Sequence, residues 1–239
     1  MPAARIVARN RAGTPQSLAH IKDIAVAAAS TGPIVDAAAA SSTARVAQPA
    51  RGDTVLQIII QGRGGQGAQT AGNLLATAFF AQGRQVQSFA SYGGARRGTP
   101  VTSFIRIDDR PIRVRCDIEQ ADAILCFDAS LLAGPLLAAA RPDTLIVVNS
   151  AHSPRHFAGA LPGHRVIPVD GIGVARRHGL GRIVNSVLLG ALARAIDAPS
   201  LEVLERTLIA EAPKKKDENV AACEEGYRQV DAQLQRSAA

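Results

Sequence analysis

The chain has 239 residues, of which 47% are hydrophobic but only 3% aromatic, with no Trp. That length accommodates one sizeable domain plus an arm, and the shortage of rings argues against single-stranded nucleic acid binding, which stacks bases on aromatic side chains. The formal charge of +7 divides into +4 over residues 1–52 and +3 over the remainder, so the body is only mildly basic and no duplex-binding face is demanded.

Residues 1–52 are rich in Ala, Ser, Thr and Pro and read as a separate flexible or docking arm. A short helix over about 16–29 suits its Ala and Ile content, and 36–50 reads as linker. Arg5, Arg9 and Arg11 precede the first acid, Asp23, which gives 1–30 the composition of an organelle transit peptide as a minority alternative. No run approaches the length of a membrane span, the apolar stretch Ile24–Ala29 included, and three cysteines without a CxxC pair fit a reducing compartment, so a cytoplasmic location is expected.

The compact domain is expected over 53–239. The run 55–61 is rich in β-branched residues and stops at a glycine cluster, which predicts a buried parallel strand. A loop at 62–67 leads into a helix over 68–82 that ends before Gly83. A second strand covers 85–90, followed by a polar loop over 91–100. The segments 101–107 and 111–115 flank Asp108–Arg110 and predict a hairpin. Further strands are expected at 121–127, 144–149 and 165–169, with a helix over about 130–140. The remaining helices are predicted over 174–178, 182–196, 201–210 and 217–235. The alternation gives an α/β fold: a mostly parallel, doubly wound, Rossmann-like sheet with a β-hairpin and a helical C-terminal segment.

Gly62-Arg63-Gly64-Gly65-Gln66-Gly67 is the sharpest local feature. It follows a strand and opens a helix, so backbone N–H groups and the helix's positive end converge there, and Arg63 adds a full charge. Such a turn suits phosphate, pyrophosphate or carboxylate. GxGxxG alone is weak, and a dinucleotide site also wants an acid after the second strand. That strand runs into Ser91 and Tyr92, with no Asp or Glu between Ala68 and Ile107. An NADP site would want an Arg immediately after the strand, and none stands there. A Walker loop fails because Ala68 and Gln69 follow Gly67. The plain alternative is a turn that only packs helix on sheet. The second loop, Ser91 to Pro100, carries Arg96 and Arg97, whose forks suit phosphate or carboxylate; solvated arginines, or pairing with a partner subunit's acids, are the alternatives. In a parallel sheet both loops share the edge where ligands bind.

Together these loops resemble the gamma subunit, or gamma domain, of the pyruvate:ferredoxin and related 2-oxoacid:acceptor oxidoreductases. The matching residues are Gly62–Gly67 with Thr70-Ala71, Ser91–Gly98, Arg106–Asp109 with Ile112 and Arg113, Ala121-Asp122, Asp128, Pro168, Asp170, the run Asn185–Gly190, and Asn219, Ala222, Gly226 and Tyr227. The likeness covers about 55–227. Ala95 stands where the family often has Glu, and the arm lies outside the pattern. The resemblance implies oxidative decarboxylation of a 2-oxoacid to acyl-CoA by a hetero-oligomer. CoA is its cosubstrate and a candidate ligand of this chain. Thiamine diphosphate and iron–sulfur clusters would sit on partner subunits, one thiamine-binding and one ferredoxin-like, so the chain would not be active alone. The candidate cofactor-binding residues are Gly62, Arg63, Gly64, Gly65, Gln66, Gly67, Ser91, Arg96, Arg97 and Asn185, the last also readable as an interface or core amide. No nucleic acid and no membrane are expected as partners.

Other chemistry is poorly supported. Cys116, Cys126 and Cys223 are far apart and form no CxxC pair, so a cluster or zinc site within the chain is not expected. A GDG…N thiamine signature is missing: Asp170-Gly171 lacks the leading Gly, and Asn185 follows too soon. His152 and His156 have helical spacing, but Pro154 lies between them and HExxH is absent. Lys214–Lys216 read as a solvated helix start. The competing functions are a free-standing nucleotide-binding oxidoreductase and a non-catalytic assembly subunit.

Overall fold

The computed structural model describes residues 55–92 and 98–238. The expected arm and its boundary lie outside the described residues. The elements in chain order begin β1 (Leu56–Arg63), α1 (Ala68–Ala81), β2 (Gln85–Tyr92), β3 (Pro100–Asp108) and β4 (Ala121–Cys126). A 3-10 turn at Ala129–Leu131 then precedes α2 (Gly134–Ala138), β5 (Ala140–Asn149), α3 (Pro154–Ala160) and β6 (Arg165–Val169). Four helices close the chain: α4 (Gly171–Arg177), α5 (Asn185–Ile196), α6 (Leu201–Glu211) and α7 (Lys216–Ala238).

The six strands form one sheet in the order β2-β3-β1-β4-β5-β6. β1, β4, β5 and β6 pair in parallel, while β3 runs antiparallel to both β1 and β2. The expected hairpin of 101–107 with 111–115 is therefore corrected: the antiparallel partners of β3 are β2 and β1. Both edges of β3 are taken, so the segment after Asp108 has no edge to pair with. It crosses the sheet face as an irregular strap instead. Arg106 on β3, 3% exposed, pins that strap by donating to the carbonyls of Cys116 (2.9 Å) and Asp117 (3.1 Å). It also donates to the side-chain oxygens of Gln57 and Gln87. A buried guanidinium needs its N–H groups satisfied, and four neutral acceptors do so here.

Period-2 alternation divides the core by sheet face. Ile58 and Ile60 of β1, with Ala123 and Leu125 of β4, face a core built with α1, α4, α5, α6 and α7. Ile59, Ile124 and Cys126 face a smaller core with Leu132, Leu136 and Phe157. Strands apolar on both faces are what a sheet covered on both sides requires. On the larger face, α5 and α7 approach closely through glycines. A Cβ at Gly190 would stand 2.0 Å from the Cys223 carbonyl oxygen, and one at Gly226 would stand 2.1 Å from that of Val187.

Several boundaries differ from expectation for local reasons. β2 continues to Tyr92, so Ser91 is in a strand and pairs with Thr102. The single helix expected over 130–140 is a 3-10 turn capped by the Asp128 carboxylate, then α2, which opens on Gly134 at φ +48°. Residue 140 already belongs to β5. α4 starts early because the Asp170 side chain accepts from the Gly173 N–H (2.9 Å). α5 starts late because Gly179 and Gly181 are left-handed (φ +69° and +66°) and a turn closes from Ile183 N–H to the Leu180 carbonyl. Pro154 does not break a helix; it occupies the first turn of α3, where its missing N–H costs nothing. His152 and His156 consequently stack, with ring centroids 4.3 Å apart.

Candidate functional site

Parallel strands deliver their carboxyl ends to one edge, and there the chain has a cleft of about 550 Å³. The turn after β1 supplies Arg63, Gly64, Gly65 and Gln66, and the entry to β3 supplies Gly98. Phe127 and Asn149 come from the ends of β4 and β5, and Ile172, Arg182 and Val184 complete the lining.

The glycine turn is held from within. Gln66 accepts from the Arg63 N–H (2.6 Å) and donates its own N–H to the Arg63 carbonyl (2.9 Å). The Gly64 N–H donates to the Thr99 carbonyl (2.9 Å), so the two loops expected to share the edge do touch. Gly65 and Gly67 adopt φ +94° and +88°, a region L side chains avoid. Among the described residues the amides of Gly65 and Gly67 have no protein acceptor. α1 has Gly67 as its N-cap, with no side-chain cap, and no acid in its first turn. Its positive end is left for something outside the helix. A Cβ on Gly67 would stand 2.6 Å from Asn185 Nδ2, because Asn185 packs directly behind it.

Arg63 is not a free charge. Its Nε donates to Asp128 Oδ2 (2.8 Å), and its terminal nitrogens donate to Ser130 Oγ (2.8 Å) and the Gly98 carbonyl (3.3 Å). Burial pushes the Asp128 carboxyl up, but hydrogen bonds from Ser130 and Arg63 outweigh this and hold it below the usual carboxylate range. Arg63 thus ties the β1 turn to the β4 turn. Asn149 makes a similar tie farther along: Nδ2 donates to the Phe127 carbonyl (3.1 Å) and Oδ1 accepts from the Gly171 N–H (3.1 Å).

Of the residues singled out from sequence, Arg63, Gly64, Gly65 and Gln66 line the cleft. Gly62 and Gly67 bound the turn. Asn185 stands behind Gly67, and its Oδ1 is buried without a partner. Ser91 lies on the edge strand and does not line the cleft. Arg96 and Arg97 lie outside the described residues. Asn149 and Arg182 were not anticipated; the signals were a polar residue ending a β-strand and an arginine after two closely spaced glycines. Cys116 is exposed, while Cys126 and Cys223 are buried. Burial pushes the Cys126 thiol up to about 12. Among the described residues no three His, Cys, Asp or Glu side chains gather as a metal-binding group, and no helix is long and apolar enough to cross a membrane.

The family described as Pyruvate ferredoxin/flavodoxin oxidoreductase matches residues 57–229, the sheet, the cleft and most of α7. The chain belongs to this family. Among its relatives is the pyruvate/ketoisovalerate oxidoreductases common subunit gamma of Thermococcus kodakarensis, 38% identical over 64% of this chain and 85% of that one. Another is the gamma subunit of an NADH-dependent phenylglyoxylate dehydrogenase from Aromatoleum evansii, 35% identical over 73% and 93%. The crystal structure of a pyruvate oxidoreductase subunit PORC from Thermotoga maritima superimposes with TM-score 0.65 at 29% identity, over 73% of this chain and 96% of that one. In this family member the sheet order interposes antiparallel β3 between β1 and β2. The end of β2 is thereby two strands away from the glycine turn, which separates the site from a dinucleotide fold whose first two strands are neighbours.

Proposed function

We propose that this chain is the gamma-type subunit of a CoA-dependent 2-oxoacid:acceptor oxidoreductase and that its carboxyl-edge cleft holds the phosphates of CoA. The observation that carries this reading is the glycine turn facing an open cleft with unpaired amides at Gly65 and Gly67 and an uncapped α1. That is the arrangement an anionic group needs. The gamma-subunit names of the relatives supply the reaction class, and their different substrates leave the 2-oxoacid to be chosen elsewhere in the complex.

In this reading thiamine diphosphate and iron–sulfur clusters reside on thiamine-binding and ferredoxin-like partner subunits. There the thiamine cofactor stabilises the carbanion left by decarboxylation and the clusters carry electrons away. This chain's residues bind and orient. The Gly65 and Gly67 amides and the helix end meet phosphate oxygens, Arg96 and Arg97 add charge from the neighbouring loop, and Arg63 with Asp128 keeps the turn in shape. The arm 1–52 is proposed as a docking segment, and a reducing cytoplasmic compartment suits three free thiols.

The test is the reconstituted complex with the chain omitted, intact, or carrying Gly65→Asp, a carboxylate placed where a Cβ meets nothing within 4 Å. Omission should abolish CoA-dependent 2-oxoacid oxidation, and Gly65→Asp should raise the KM for CoA. Turnover by the isolated chain, or an unchanged KM in the Gly65→Asp complex, would refute the proposal. Unchanged CoA affinity after Arg96→Ala plus Arg97→Ala would remove only those two residues from the role.

A further inference from the structure

Two described cations line the cleft, and they differ in how their charge is met. Arg63 spends its guanidinium on Asp128, Ser130 and the Gly98 carbonyl. Arg182, which also lines the cleft and is exposed, has no hydrogen bond and no ion pair among the described residues. An arginine that only needs hydration can stand anywhere on a surface and is usually loosely placed. The Arg182 side chain is exposed, but its backbone is set into a hydrogen-bonded turn. Leu180, 4% exposed, and Val184, also 4% exposed, anchor it on either side. The Leu180 N–H bonds the Ala175 carbonyl (2.7 Å), and the Ile183 N–H bonds the Leu180 carbonyl (3.2 Å). Lys215 Nζ holds the Gly179 carbonyl, and Glu225 on α7 grips Arg177 and His178 just upstream.

We infer that Arg182 is the cation that contacts the anionic part of the ligand in this cleft, while Arg63 acts only as a brace for the glycine turn. The inference rests on the reading of the cleft as the CoA phosphate site and names the side chain that discriminates for phosphate. Its chemistry is a planar fork with five N–H donors, lining the same cleft as a turn that keeps the Gly65 and Gly67 amides unpaired. Phosphate oxygens in the cleft would accept from both, and among the described residues no carboxylate pairs with Arg182 to compete. A charge-assisted hydrogen bond of this kind contributes about 1.5–3 kcal/mol, which corresponds to at least about tenfold in affinity.

The experiment uses the assembled complex and two thiol acceptors, CoA and pantetheine, which lacks the phosphates. With Arg182→Gln the KM for CoA should rise about tenfold or more, kcat should stay within about twofold, and the KM for pantetheine should not move. Arg182→Lys, which keeps the charge but not the fork, should recover part of the loss. Gly65→Asp measured alongside separates the two levels of the argument. If Arg182→Gln leaves the KM for CoA unchanged while Gly65→Asp raises it, the role of Arg182 is overturned and the CoA reading stands. If neither variant changes it, both are overturned. If Arg182→Gln raises the KM for CoA and pantetheine together, Arg182 does not read phosphate and the inference is also overturned.

Discussion

Gly67 is the residue on which the glycine turn, the start of α1 and the start of α5 meet, and Gly67→Ala tests that junction. Two penalties add. The backbone there is at φ +88°, and a left-handed conformation costs a side-chain-bearing residue about 1–2 kcal/mol. The new Cβ would also stand 2.6 Å from Asn185 Nδ2 and 2.7 Å from Asn185 Oδ1, and overpacking of this kind costs about 1–3 kcal/mol. The sum, about 2–5 kcal/mol, corresponds to roughly 4–20 °C in Tm for a domain of this size. Gly65→Ala is the control: its φ is +94°, yet a Cβ there meets nothing within 4 Å, so only the backbone penalty of about 1–2 kcal/mol applies. Asn185→Ala removes all three atoms that crowd Gly67, so the double variant Gly67→Ala/Asn185→Ala should recover about 1–3 kcal/mol relative to additivity. Thermal and urea unfolding of the four proteins provides the cycle. A Tm loss for Gly67→Ala no larger than for Gly65→Ala, or strict additivity with Asn185→Ala, would refute the proposed crowding.

Other consequences follow from the same geometry. Gly190→Ala or Gly226→Ala drives a methyl into a facing carbonyl on the neighbouring helix, so each should cost about 3 kcal/mol or more by denaturant unfolding. Equal stability to wild type would mean that α5 and α7 do not cross where described. In the native protein a thiol reagent should label Cys116 alone, because Cys126 and Cys223 are buried and burial keeps both thiols protonated; fast labelling of more than one cysteine before unfolding would contradict this. Asp128 titrates below its ordinary range in the fold. Its stabilising contribution is therefore complete above the unfolded carboxylate pKa and is lost as pH falls through the lower folded value. Wild type and Asp128→Asn should differ in stability near neutral pH and converge in acid, and a difference that grows on acidification would reverse the assigned sign.

Much of the architecture is written in local pattern. The β-branched run ending at Gly62, the helix formers from Ala68 and the long polar–apolar period of α7 each carry their own signal. Backbone sterics and face burial act within a few residues, so these elements are legible one at a time. The glycine turn was legible for the same reason, as was the family, since its motifs are short and contiguous. Strand order was not. Nothing local distinguishes a β3 that pairs forward with Pro111–Arg115 from one inserted between β2 and β1; that choice depends on how both faces of the sheet are covered. The charge state of the site was hidden likewise. From sequence Arg63 is a bare cation beside a phosphate-type loop, and only packing brings Asp128, 65 residues away along the chain, onto its guanidinium. The same packing leaves Arg182, far along the chain, without a counter-charge among the described residues. Long-range pairing of charges depends on distances in space, which sequence separation does not encode.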